Sequence, residues 1–263
     1  MDRPSTSHQS VEKIEVFEVR EHVPYQQAEV TRAPTVYDEE SGAMYNGSWD
    51  SAWNAICQLF NLLHHMMVAI VVFVLWHFAL TSESNGGITN LSLHIVFAGT
   101  GYQLFLVEAV LTLNKHNSWS VHMSEDGKRI VHGCLQLIGS IFVIAGTFLG
   151  LARVDMAVTT AHGICGVIAL AFSMVSFVSG IIALFSAKVR LNIKSKPMRI
   201  FHIGFGLIAL AMGLVTMTMG FNMDYFKASR ESLSIALMVF VPTILVYTMF
   251  QPIIDIIKMV RNL

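Results

Sequence analysis

The sequence predicts an all-α membrane protein in which six helices cross the bilayer and the second to fifth form a central four-helix bundle. Three observations carry that prediction. Of 263 residues, 54% are hydrophobic and 13% charged, with a mean hydropathy of +0.57, far from the balance of a soluble domain. Six apolar runs, near residues 57–80, 91–113, 130–152, 158–186, 199–221 and 233–257, are each long enough to cross about 30 Å of hydrocarbon. Four of them, the second to the fifth, carry a histidine near the start: His94, His132, His162 and His202.

Ahead of the first run lies a different kind of chain. The first fifty residues hold ten of the eighteen carboxylates and no sustained apolar period, which predicts a disordered acidic cytosolic tail over 1–55 and a membrane domain over 56–263. The tail lacks the basic start, apolar core and small-residue cleavage site of a signal peptide, so the first helix is expected to direct insertion. That helix carries His64, His65 and His77, expected at packed or interfacial positions outside the bundle.

Orientation follows from the basic residues. The tail, the second and fourth loops and the C-terminus together hold 14 Lys and Arg, and the opposite side holds 3. Excess positive charge marks the cytosolic side, which places both termini in the cytosol. A net charge of −1 gives no reason to expect a nucleic-acid partner. The second loop, "NKHNSWSVHMSEDGK", carries His116 and His122 and reads as a solvated loop. Cys57, Cys134 and Cys165 sit in or beside different helices without paired spacing, which excludes a zinc site of the C-x-x-C kind, and no C-x-x-C-H attaches haem covalently.

Because successive helices run in opposite directions, the four bundle histidines fall at two depths, His94 with His162 on the non-cytosolic side and His132 with His202 on the cytosolic side. Each also heads a stripe of small residues at offsets +4, +7, +11, +14 and +18. The stripe under His132 includes Gly139, Gly146 and Gly150, and that under His202 includes Gly206, Gly213 and Gly220. Small residues let membrane helices approach closely, but that does not account for a histidine at the head of each stripe. Two imidazoles on opposite walls of a bundle can ligate a haem iron, and 14 residues rise about 21 Å, so small residues of one pair of helices would make room beside the other pair's ligands. Two b haems near opposite faces could pass electrons across the bilayer. Glu108, on the His94 face near the cytosolic end of its helix, is an intramembrane carboxylate and so a candidate for proton handling or for an interhelical hydrogen bond.

The stretches "LSLHIVFAGTGYQLFLVEAVL", "IVHGCLQLIG", "TAHGICGVIAL" and "MRIFHIGFGLIAL" together resemble the cytochrome b561 family, over about 91–221. The "EAVL" after the first histidine and the H-x-x-L-Q pattern at His132 are similar to the b561 domain-containing branch. The resemblance implies two b haems, ligated by His94 with His162 and by His132 with His202. It also implies electron transfer from cytosolic ascorbate to monodehydroascorbate or ferric chelates, as a transmembrane ascorbate-dependent reductase. Lys128, Arg129, Lys196 and Arg199 stand where family members bind ascorbate. An endomembrane location (vesicle, endoplasmic reticulum or lysosome) and a homodimer are further implications. The chain departs from the ascorbate-vesicle branch in its third loop, where "ARVDMAVTTAH" stands in place of a "SLHSW"-type motif. The competing reading of the same histidines is a haem-free channel, transporter or scaffold that uses them for interhelical hydrogen bonds.

Overall fold

The computed structural model describes residues 47–81, 87–154, 156, 158–189, 195–228 and 230–261. Six helices long and apolar enough to cross a membrane lie among them: α1 (Gly47–Thr81), α2 (Asn90–Thr112), α3 (Glu125–Arg153), α4 (Ala161–Val189), α5 (Ser195–Phe221) and α6 (Glu231–Arg261). No strand occurs among the described residues. The tail expected over 1–55 lies outside the described residues as far as 46. Residues 47–55 belong to α1, because "GSWDSAWNA" is compatible with helix although too polar to count as part of an apolar run.

Helix starts follow local capping chemistry. Thr89 caps α2, its side chain accepting from the Ser92 N–H. Ser124 caps α3 by accepting from the Gly127 N–H, and Glu125 and Asp126 follow in the first turn, where carboxylates suit the positive end of the helix. Thr160 plays the same part ahead of α4, accepting from the Gly163 N–H. Pro197 falls in the first turn of α5, where its missing N–H costs no internal bond. Within α2, residues Gly101–Leu106 form a π turn rather than an α turn.

The outer surfaces of the helices are apolar, with side chains such as Phe60, Phe73, Val246 and Phe250 exposed, as a hydrocarbon-facing surface requires. The buried core joins α1 (Val68, Val71, Leu75), α2 (Leu106, Val107, Leu111), α5 (Leu210, Leu214) and α6 (Leu237, Val241, Ile244). Thus α1 and α6 brace α2 and α5 from outside, leaving the inner faces of α2 to α5 turned towards one another.

Candidate haem sites

The structure brings the four bundle histidines together as two pairs. The His94 and His162 rings stand 6.1 Å apart between centroids, with planes at 83°. The His132 and His202 rings stand 6.2 Å apart at 86°. Each pair joins α2 to α4 or α3 to α5, at opposite ends of the bundle.

Each histidine also donates a hydrogen bond to a backbone carbonyl of a neighbouring helix. Nδ1 of His94 bonds Gly146 O at 2.7 Å, that of His132 bonds Ala109 O at 2.7 Å, that of His162 bonds Thr216 O at 2.9 Å and that of His202 bonds Ser176 O at 2.9 Å. A carbonyl oxygen can only accept, so each Nδ1 carries the proton and each neutral ring keeps its lone pair at Nε2. A second carbonyl lone pair is available even where the helix already uses the first.

The acceptors repeat in sequence. Gly146, Ser176 and Thr216 each lie 14 residues after the histidine of their own helix, so α3, α4 and α5 each supply an imidazole at one level and a carbonyl at the other, about 21 Å apart by helical rise. In α2 the acceptor is Ala109, 15 residues after His94. The π turn accounts for the extra residue, since it takes one more residue to make a turn and so delays the rest of the helix by one position. For the same reason Glu108 leaves the face on which a regular helix would put it. Its carboxylate accepts from His65 Nδ1 of α1 at 2.7 Å and from Trp119 Nε1 at 3.0 Å.

Four residues beyond these acceptors, three glycines stand against the rings. A Cβ on Gly150 would lie 2.6 Å from His94 Nδ1, one on Gly180 2.8 Å from His202 Cε1, and one on Gly220 3.3 Å from His162 Cε1. The room made by these positions is therefore filled, at least in part, by imidazole. Gly146 serves close helix contact, since its Cβ would collide with the Ala98 backbone of α2. Near mid-bundle, Tyr102 packs on Gly213 and shares a 3.2 Å hydrogen bond with Ser173.

Beside the His94/His162 pair opens a cavity of about 310 Å³, lined among others by Leu75, Phe78, Tyr102, Gly166 and Phe226. That size falls in the range of about 300–1,000 Å³ found for ligand pockets. A metal held between two imidazoles sets a separation that can be checked. Two metal–nitrogen bonds of about 2.0 Å, the first-row value for imidazole on zinc, plus roughly 1.1 Å from each nitrogen to its ring centroid give about 6.2 Å. The observed 6.1 and 6.2 Å agree.

The family model for eukaryotic cytochrome b561 matches residues 93–227, just over half of the chain. The chain belongs to the cytochrome b561 family. Neither the curated proteins nor the solved structures contain a match. As a cytochrome b561 family member it is a multi-pass membrane protein of transmembrane electron transfer, of oxidoreductase type, and it binds b haem. The donor set fits that group: four imidazoles whose Nδ1 atoms are committed to carbonyls, leaving Nε2 without a hydrogen bond among the described residues, in two pairs whose centroid separations match that of two metal–nitrogen bonds.

The remaining residues singled out from sequence sort as follows. His64 is fully buried and bonds Thr248 of α6 at 3.0 Å. His65 joins Glu108, and His77 bonds Thr81. His116, in the loop between α2 and α3, has its pKa lowered by burial and by neighbouring Lys115. Cys57, Cys134 and Cys165 are free thiols, and no group of three or more His, Cys, Asp or Glu capable of holding a metal ion occurs among the described residues. Lys128 and Arg129 are tied to carboxylates of their own first turn, Lys128 to Glu125 at 3.0 Å and Arg129 to Asp126 at 3.2 Å. Lys196 and Arg199 are exposed and form no ion pair among the described residues. Sequence reasoning missed Ala109, Gly146, Ser176 and Thr216 as carbonyl acceptors. The +14 regularity could have shown three of them, whereas Ala109 is displaced by a π turn with no compositional mark.

Proposed function

We propose that His94 with His162 and His132 with His202 hold two b haems, and that the protein carries electrons from cytosolic ascorbate through both to monodehydroascorbate or ferric chelates on the other side. The observation that carries this reading is the duplication of one arrangement, facing imidazoles about 6 Å apart with every Nδ1 proton committed to a carbonyl, at both ends of the bundle.

When bound, a b haem supplies a one-electron iron couple. The chain's own residues prepare the places for it. The carbonyls of Ala109, Gly146, Ser176 and Thr216 fix each imidazole in one tautomer and one rotation, which raises its basicity as a ligand and means that it need not reorient on binding. Apolar side chains such as Leu75, Ile95 and Phe226 line the His94/His162 cavity and limit access of water. The four basic residues are unequal candidates for attracting the ascorbate monoanion. Lys128 and Arg129 face local carboxylates, so Lys196 and Arg199 at the start of α5 carry more of the unbalanced charge.

The basic-residue asymmetry, 14 against 3, supports a cytosolic position for the His132/His202 end and for both termini. The acidic segment before α1 is then a cytosolic tail, and an endomembrane location and a homodimer accord with family resemblance. Reduced-minus-oxidised spectra of the purified protein with haem quantification test the reading: two b haems per chain are expected, both reducible by ascorbate. A chain without haem absorption would overturn it, and oriented vesicles reduced equally fast from either side would overturn the polarity.

A further inference from the structure

A second polar constellation adjoins the His132/His202 level and has no part in holding the rings. Glu108 of α2, side chain 14% exposed, accepts from His65 Nδ1 at 2.7 Å and from Trp119 Nε1 at 3.0 Å. His65 Nε2 lies 3.0 Å from Asn117 Oδ1. The orientation of that amide is fixed by its surroundings. Ser120 gives its hydroxyl proton to Thr112 O at 3.0 Å, so its oxygen must accept from Asn117 Nδ2, at 2.9 Å, leaving Asn117 Oδ1 towards His65. His65 therefore faces an acceptor at each ring nitrogen, a carboxylate on one side and an amide oxygen on the other. Only the doubly protonated imidazolium satisfies both, and a neutral ring forfeits one bond.

The titratable groups around this pair are few. From α1 comes His64, whose Nε2–H donates to Thr248 Oγ1, because that hydroxyl gives its own proton to Ile244 O at 2.7 Å. His64 Nδ1 is consequently a bare lone pair, fully buried and without a partner among the described residues. From α6 comes Tyr247, whose ring lies 4.6 Å from that of His64. The loop between α2 and α3 adds the neutral groups Asn117, Trp119 and Ser120. The link to the bundle runs through the next peptide: Ala109, adjacent to Glu108, holds the His132 ring.

We propose that the Glu108–His65 pair is a proton-uptake site coupled to the electron at the His132/His202 level. An external one-electron donor reduces the centre held there, and one proton from water at that face passes to His65, which becomes an imidazolium held between the Glu108 carboxylate and Asn117. The added negative charge and added proton compensate one another, and on reoxidation the proton returns to water. By linkage, the proton's preference for the reduced state equals the electron's preference for the protonated state. This inference rests on His132 and His202 holding a centre.

The test is a spectroelectrochemical titration of the full chain with its haems bound, across about pH 5 to 8, together with proton uptake on reduction read by an indicator dye. The component belonging to His132/His202 is identified as the one that His132→Ala removes; absence of any such component would overturn the haem assignment itself. In the unaltered protein the potential of that component should fall with rising pH by up to about 59 mV per unit, the one-electron equivalent of a tenfold change, while the other component stays flat. Glu108→Gln should retain both haems and lose the slope and the proton uptake. Trp119→Phe, at a side chain 43% exposed, removes one donor from the carboxylate. It should strengthen the imidazolium's partner and move the sloping region to higher pH. Two bound haems with a flat profile in the unaltered protein, an unchanged slope in Glu108→Gln, or an unmoved region in Trp119→Phe would each overturn the proton site while leaving the haem assignment standing.

Discussion

Alanine at Gly150 would press first on one imidazole, that of His94. Its Cβ would lie 2.6 Å from His94 Nδ1 and 2.9 Å from Cε1, where ordinary contact begins at 3.4 Å. Moving the ring away by that difference carries Nδ1 from 2.7 Å to about 3.5 Å from Gly146 O, the outer limit of a hydrogen bond. Overpacking of this size costs about 1–3 kcal/mol, roughly 5- to 150-fold in affinity for whatever the ring ligates. Haem retained per chain, measured through a dilution series in detergent, should fall for the component that His94→Ala removes and stay constant for the other. Gly204→Ala is the control, since its Cβ meets only Ile256 Cδ1 at 3.8 Å. Equal retention of both components in Gly150→Ala, or equal loss of both, would refute the argument that this glycine is kept small for the His94 ring.

Other outcomes follow from the same geometry. His94→Ala and His162→Ala should remove one and the same haem component, and His132→Ala and His202→Ala the other, as read by haem quantification and redox titration. The double substitution Lys196→Gln with Arg199→Gln should slow reduction by ascorbate and weaken its salt dependence more than Lys128→Gln with Arg129→Gln, while dithionite reduces both haems fully in either variant. Tyr102→Phe removes the bond to Ser173 but leaves that serine its 2.8 Å bond to Ala169 O, so the cost should stay near 0.5–1.5 kcal/mol, about that of one hydrogen bond, in a thermal unfolding assay with both haems retained.

The spans and the four histidines were legible in the sequence because each rests on a local regularity, an apolar run or a fixed offset along a regular helix. Gly150 and Gly220 stood out through that periodicity as well, although what they accommodate in the structure is an imidazole edge. Glu108 lies just past where the regular helix on which such a pattern depends gives way. It sits on the His94 face only if α2 is a regular helix, and the π turn at Gly101–Leu106 turns it towards α1 instead. Its partners were out of reach for another reason: His65 lies 43 residues away and Trp119 in a loop without periodicity, so nothing in the local pattern joins them. The early start of α1 escaped because polar residues such as Asp50 and Ser51 extend a helix without extending an apolar run.

The carbonyl contacts have a direction that bears on assembly. His94 of α2 is held by α3 and His132 of α3 by α2; His162 of α4 is held by α5 and His202 of α5 by α4. Every such bond stays within a helical hairpin, whereas each facing pair of rings joins one hairpin to the other. With respect to these bonds the bundle is two self-bracing halves, each presenting one oriented imidazole at either end. Halves braced in this way would need nothing from each other to orient their rings. A group held between facing imidazoles would then link one hairpin to the other, as a clasp does.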